Sequence, residues 1–68
     1  MISLEVEKKI LKNIMTEELL WEYLESNFDE TIDTILRLFY KSLLNYNDNK
    51  KIVDNILYWL ELLTKTEK

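Results

Sequence analysis

Neither glycine nor proline occurs anywhere in the 68 residues of this chain. Glycine enters left-handed backbone at no steric cost, and proline stops a helix. Without them, tight hairpins and phosphate-cradling loops are hard to build, while a helix meets no strong breaker. The expected fold class is therefore all-α. Helix ends must be set by capping side chains and by shifts in apolar periodicity.

Three stretches qualify as ends. In "NYNDNKK", Asn45, Asn47, Asp48 and Asn49 favour turns and caps. A loop is expected there, with Asp48 or Asn49 capping a last helix. In "SNFDE", Asn27 stands three residues before Glu30, the spacing of a capping box, and Asp29 offers a second cap. The third end is seen in the periodicity. At 100° per residue, the stripe of Leu4, Val6, Ile10, Leu11, Ile14 and Met15 is centred roughly 130° away from that of Leu19, Leu20, Trp21, Tyr23, Leu24 and Phe28. One straight helix cannot aim both at one core, and Thr16 followed by Glu17 and Glu18 supplies an N-cap with first-turn acids at the junction. Helices are expected at 3–14, 17–27, 29–45 and 49–65, or three if the chain stays helical through Thr16.

On the third helix, Ile32, Ile35, Leu36, Phe39, Tyr40, Leu43 and Leu44 make the expected core face, with Leu38 outside it. On the fourth, Ile52, Val53, Ile56, Leu57, Trp59, Leu60 and Leu63 fill the core arc, with Tyr58 and Leu62 outside. Residues 1–68 form a single domain without repeats or low-complexity segments. A core this small rarely supplies more than roughly 3–5 kcal/mol, so small folds commonly lean on disulfides, a metal or a second subunit. The chain has no cysteine and no histidine, which leaves the second subunit. The expectation is a small bundle of three or four helices completed by homodimerisation, with Trp21, Tyr23, Tyr58 and Leu62 as apolar contacts with the second copy or another protein.

Charge is segregated along the chain. Residues 16–33 carry seven acidic side chains and no basic one, and the whole chain has a formal net charge of −4. Glu18, Glu22 and Glu25 lie within roughly 60° of one another on the second helix, continuing towards Asp29. Like charges at that spacing cost a helix a few tenths of a kcal/mol per pair. Three explanations compete: a solvated face, an acidic surface for a basic partner, and a match for Arg37, Lys41, Lys50 and Lys51 of another copy. Asp33 and Arg37 have ion-pair spacing.

Catalysis is not expected. Without histidine or cysteine, no nucleophile-plus-base arrangement is evident. No metal or other cofactor is called for, since the Glu-x-x-His motif of di-iron bundles and the glycine-bearing calcium loop both lack their residues. A dimeric helix-turn-helix DNA-binding regulator is the alternative of a different class, with Lys8, Lys9, Lys12, Lys50 and Lys51 as nucleic-acid contacts, but a pI of about 4.7 opposes it. The apolar "IVDNILYWLELL" contains two acids and no lysine, the wrong charge for anionic headgroups, so no membrane contact is expected. Nor does "MISLEVEKK" resemble a secretory signal, which points to a cytoplasmic location. Absent glycine, proline and alanine, with a single arginine, fit an AT-rich genome such as that of many phages and viruses. The function read from the residues is thus a small acidic regulator, adaptor or inhibitor that works by binding protein.

Overall fold

A computed structural model of the chain describes residues 2–66 and contains four α-helices: α1 (Ile2–Leu11), α2 (Glu17–Ser26), α3 (Phe28–Leu43) and α4 (Lys50–Thr66). A single 3-10 turn, Tyr46–Asp48, lies between α3 and α4. The small all-α bundle expected from composition is what the chain forms. Its shortest dimension is 18 Å, the depth of two helix layers at the usual interaxial spacing, so each helix keeps an outer side. Helix α3 is the hub, packing against α1, α2 and α4 in turn.

The junction near Thr16 is a true break. Helix α1 stops at Leu11, before the expected residue 14, through the six-to-one and five-to-two hydrogen bonds of a Schellman ending. Ile14 N–H donates to the Lys9 carbonyl at 2.9 Å, and Asn13 N–H donates to that of Ile10 at 3.0 Å. Such an ending needs one left-handed residue, and Asn13 takes that place with a φ of 60°. Asparagine tolerates this backbone better than most residues with a Cβ, which is how a chain without glycine makes the turn. The Asn55 side-chain amide then donates to Asn13 Oδ1 at 2.7 Å, pinning the end of α1 to α4. Helix α2 restarts where Thr16 Oγ1 accepts from Leu19 N–H at 3.1 Å.

Asn27 joins α2 to α3 alone. Its backbone N–H closes the last turn of α2 on the Tyr23 carbonyl, while its side-chain oxygen accepts from Glu30 N–H at 3.3 Å to open α3. The carboxylate of Glu30 accepts in return from the Asn27 amide at 3.0 Å, a variant of the expected capping box. Its other oxygen accepts from Ser3 N–H at 3.2 Å, which sets the start of α1 beside the start of α3. Before α4, Asp48 and Asn49 behave differently from the expected caps. Asp48 accepts from the Asn45 side chain at 3.0 Å and Asn49 donates to the Asn45 carbonyl at 3.0 Å, so both side chains hold the turn together.

The buried apolar residues are Val6, Ile10, Leu20, Leu24, Ile35, Leu38, Val53, Ile56 and Trp59. Helix α3 bears out part of its expected face, since Ile35 is buried and Ile32 and Phe39 pack against the core, and departs from the rest of it. Leu38, placed outside the core face by its periodicity, is 4% exposed, whereas Tyr40, Leu43 and Leu44, placed inside it, face solvent. Its buried side instead includes Thr31, Thr34 and Ser42. The physical reason lies in contacts that fix the rotation of α3 about its own axis. Thr31 Oγ1 donates to the Tyr23 carbonyl of α2 at 3.1 Å, and the neighbouring Glu30 is held by Ser3 of α1. Thr34 Oγ1 donates one turn back to the Glu30 carbonyl at 2.8 Å, so its hydroxyl is satisfied inside the core. No buried side-chain nitrogen or oxygen among the described residues lacks a partner. The same correction applies to the first apolar stripe, where Val6 and Ile10 of α1 are buried but Leu4, Leu11 and, beyond the helix, Ile14 are about half exposed. On α4, Leu57 is exposed, and Leu62 packs against the core from the position expected to lie outside it.

Two outcomes follow from this packing. Asn13→Ala should lower stability in urea unfolding by about 1–2 kcal/mol, the cost of left-handed backbone, while Asn13→Gly should lose only the Asn55 bond. Thr34→Leu, although it raises apolar content, should destabilise by about 1–3 kcal/mol because the site is closed and already filled.

Candidate interaction surface

The outer side of α3 carries the largest concentration of uncovered apolar side chains. Phe28, Ile32, Leu36, Tyr40 and Leu44 follow one another at four-residue intervals, a single ridge along the helix. Ile32 and Leu36 are half-buried, Phe28 and Tyr40 are 57% and 65% exposed, and Leu44 at the end is 90% exposed. Leu43 and Tyr46 are exposed beside it. Phe39 leans on the core and meets the Tyr40 ring at 5.9 Å between centroids, tilted by 58°. Apolar surface arranged along one element, and not scattered singly, is the usual mark of a contact surface.

A second ridge runs beside the first. Asp29, Asp33, Arg37 and Lys41 also stand four residues apart, and all four are exposed. Arg37 Nε donates to Asp33 Oδ2 at 3.4 Å, forming the expected ion pair at the surface. With both side chains well exposed, that pair contributes little to stability.

The expected acidic face is solvent-exposed throughout: Glu18, Glu22 and Glu25 on α2, and Asp29 in the first turn of α3. None of the four makes a hydrogen bond or ion pair with a described residue. The Asp33–Arg37 pair therefore leaves the α2 stripe uncompensated within the described chain. Among the expected apolar contacts, Trp21, Tyr23 and Leu62 are half-buried against the core, and Tyr58 is half exposed with its ring 5.2 Å from that of Trp59. The exposed ridge of α3 was not among the residues singled out, because periodicity assigned most of it to the core.

Tyr23 is further occupied by donating its hydroxyl to Glu5 Oε1 at 3.1 Å, which ties α2 to α1. Its phenol is raised above the ordinary value of 10.0, first by partial burial, then by that hydrogen bond and by the nearby charges of Glu5 and Glu22.

The expected nucleic-acid contacts gather at one end of the bundle. Lys8, Lys9 and Lys12 lie on and just beyond the last turn of α1, Lys50 and Lys51 in the first turn of α4. The Asn13–Asn55 bond brings these two ends together. However, the exposed side of α4 mixes these lysines with Asp54 and Glu61, and α1 carries Glu5 and Glu7 beside Lys8 and Lys9, so neither of these two helices offers an unbroken basic face to a phosphate backbone. No group of three or more acidic side chains placed to hold a metal ion occurs among the described residues. No described helix is long and apolar enough to cross a membrane. No protein-family model, curated protein or solved structure matches the chain.

The Tyr23 hydroxyl gives a pH signature. Its neutral form is favoured in the fold, so its contribution is complete below the unfolded value near 10 and is lost as pH rises through the higher folded value. Tyr23→Phe should be less stable than wild type by under about 1 kcal/mol at neutral pH. In urea titrations the gap should narrow above about pH 10 as the phenol ionises.

Proposed function

We propose that this protein acts by docking onto another polypeptide chain and not by catalysis. The observation that carries the reading is the orientation of α3, which turns threonine and serine inward and leaves Phe28, Tyr40 and Leu44 exposed along one ridge, with Leu36 half-buried between them and Ile32 leaning on the core. Leaving leucine and aromatic side chains in water forgoes roughly 1.5–3 kcal/mol per residue relative to full burial. A chain of 68 residues has little stability to forgo, and a partner that covers the ridge recovers it. The unpartnered acids Glu18, Glu22, Glu25 and Asp29 suit a polar rim towards a basic partner, since rim charges govern encounter rate and specificity more than affinity.

On this reading the protein is a small cytoplasmic regulator, adaptor or inhibitor. Its codon-biased composition fits a phage or other virus as the source. Replacing Leu44 by the photocrosslinking residue benzoylphenylalanine in cells that express the protein should yield discrete adducts, lost when Tyr40→Asp and Phe28→Asp are added. The same probe at Glu61, on the outer side of α4, should yield none. No adduct from position 44 would sink the docking reading.

A further inference from the structure

We infer that the occupant of the α3 ridge is a second copy of this chain, laid antiparallel across it about a two-fold axis near Leu36. The inference deepens the docking reading and rests on it. It is carried by the order of charge along the ridge beside the apolar one. From Asp29 through Asp33 and Arg37 to Lys41, the signs run acid, acid, base, base at equal four-residue steps. Reversing that order gives its electrical complement, so an antiparallel copy sets Asp29 opposite Lys41 and Asp33 opposite Arg37. A parallel copy related by a two-fold axis along the helices carries its charged ridge on the opposite flank, where this pairing is lost.

The apolar ridge is centred one residue further on, at Leu36 against Ile35 for the charges, an axial offset of about 1.5 Å that one two-fold axis between them accommodates. Reversal about Leu36 places the half-buried Ile32 against the exposed Tyr40, and the exposed Phe28 against the exposed Leu44, with Leu36 against itself. A two-fold interface requires this self-complementarity, because one patch must serve as both surfaces. The layout, an apolar strip with charges along its flank, is also that of a bundle seam. The Asp33–Arg37 pair within one copy does not oppose it. Exchanging that exposed partner for the same group on another copy costs little, so the charges select orientation while the ridge supplies the attraction.

The test uses the purified full chain and light scattering during size-exclusion chromatography from micromolar to millimolar concentration. Wild type should run at twice the monomer mass of 8.3 kDa. Tyr40→Asp with Leu44→Asp should run as a monomer with an unchanged helical circular-dichroism spectrum, both residues being exposed in the single chain. The double variants Asp29→Lys/Asp33→Lys and Arg37→Asp/Lys41→Asp should each raise the dimer dissociation constant at least tenfold. Mixing the two in equal amounts should restore the dimer as a heterodimer. A wild-type monomer at every concentration overturns the inference, as does a dimer that survives Tyr40→Asp/Leu44→Asp. A mixture no more dimeric than its components overturns the antiparallel pairing. These failures leave the docking reading standing, since it falls only if position 44 crosslinks to nothing.

Discussion

The rotational setting of α3 is the constraint on which the remaining structure depends. Two neighbouring residues fix it: Thr31 through its hydroxyl to the Tyr23 carbonyl, and Glu30 through its carboxylate to Ser3 N–H and the Asn27 amide. Because α3 is the hub, this one angle decides which side chains meet α1, α2 and α4. It brings Ile35 and Leu38 into the core together with Thr31 and Thr34, both fully buried. A small rotation would draw the half-buried Phe39 and the exposed Leu43 further in instead. It would also break the bonds to Tyr23 and Ser3.

The helical class and the break at Thr16 were legible because they depend on local chemistry. Missing breakers, a threonine followed by two glutamates and an asparagine three residues before a glutamate all act within one turn of helix. The element bounds followed to within a few residues, except at Asn13, where the left-handed ending removed the last turn of the expected first helix. The signal there was an asparagine just past the apolar stripe, the residue that substitutes for glycine at a helix end when glycine is absent.

The faces of α1 and α3 were less legible, for a physical reason. Apolar periodicity locates a hydrophobic stripe but does not say whether the chain itself or something else covers it. On α4 the two largely coincide, and Val53, Ile56 and Trp59 are buried as their spacing implies, with Leu57 and Leu62 as the departures. On α3 they diverge, because Thr31 and Thr34 satisfy their hydroxyls on backbone carbonyls and so enter the core at little cost. A threonine that can bond one turn back looks the same in sequence as one facing water. The acidic face of α2 was legible for the opposite reason, since an unpaired carboxylate has nowhere to go but outward.

Asn27 has a consequence beyond capping. Because one residue closes α2 and opens α3, there is no loop between them to take up strain. A force applied along the outer ridge of α3 reaches α2 through a single pair of backbone torsions, with the Thr31–Tyr23 bond acting as a brace across the corner. The two helices therefore behave as one bent lever. Any rearrangement that tilts α3 under a bound load must carry the carboxylates of Glu18, Glu22 and Glu25 with it.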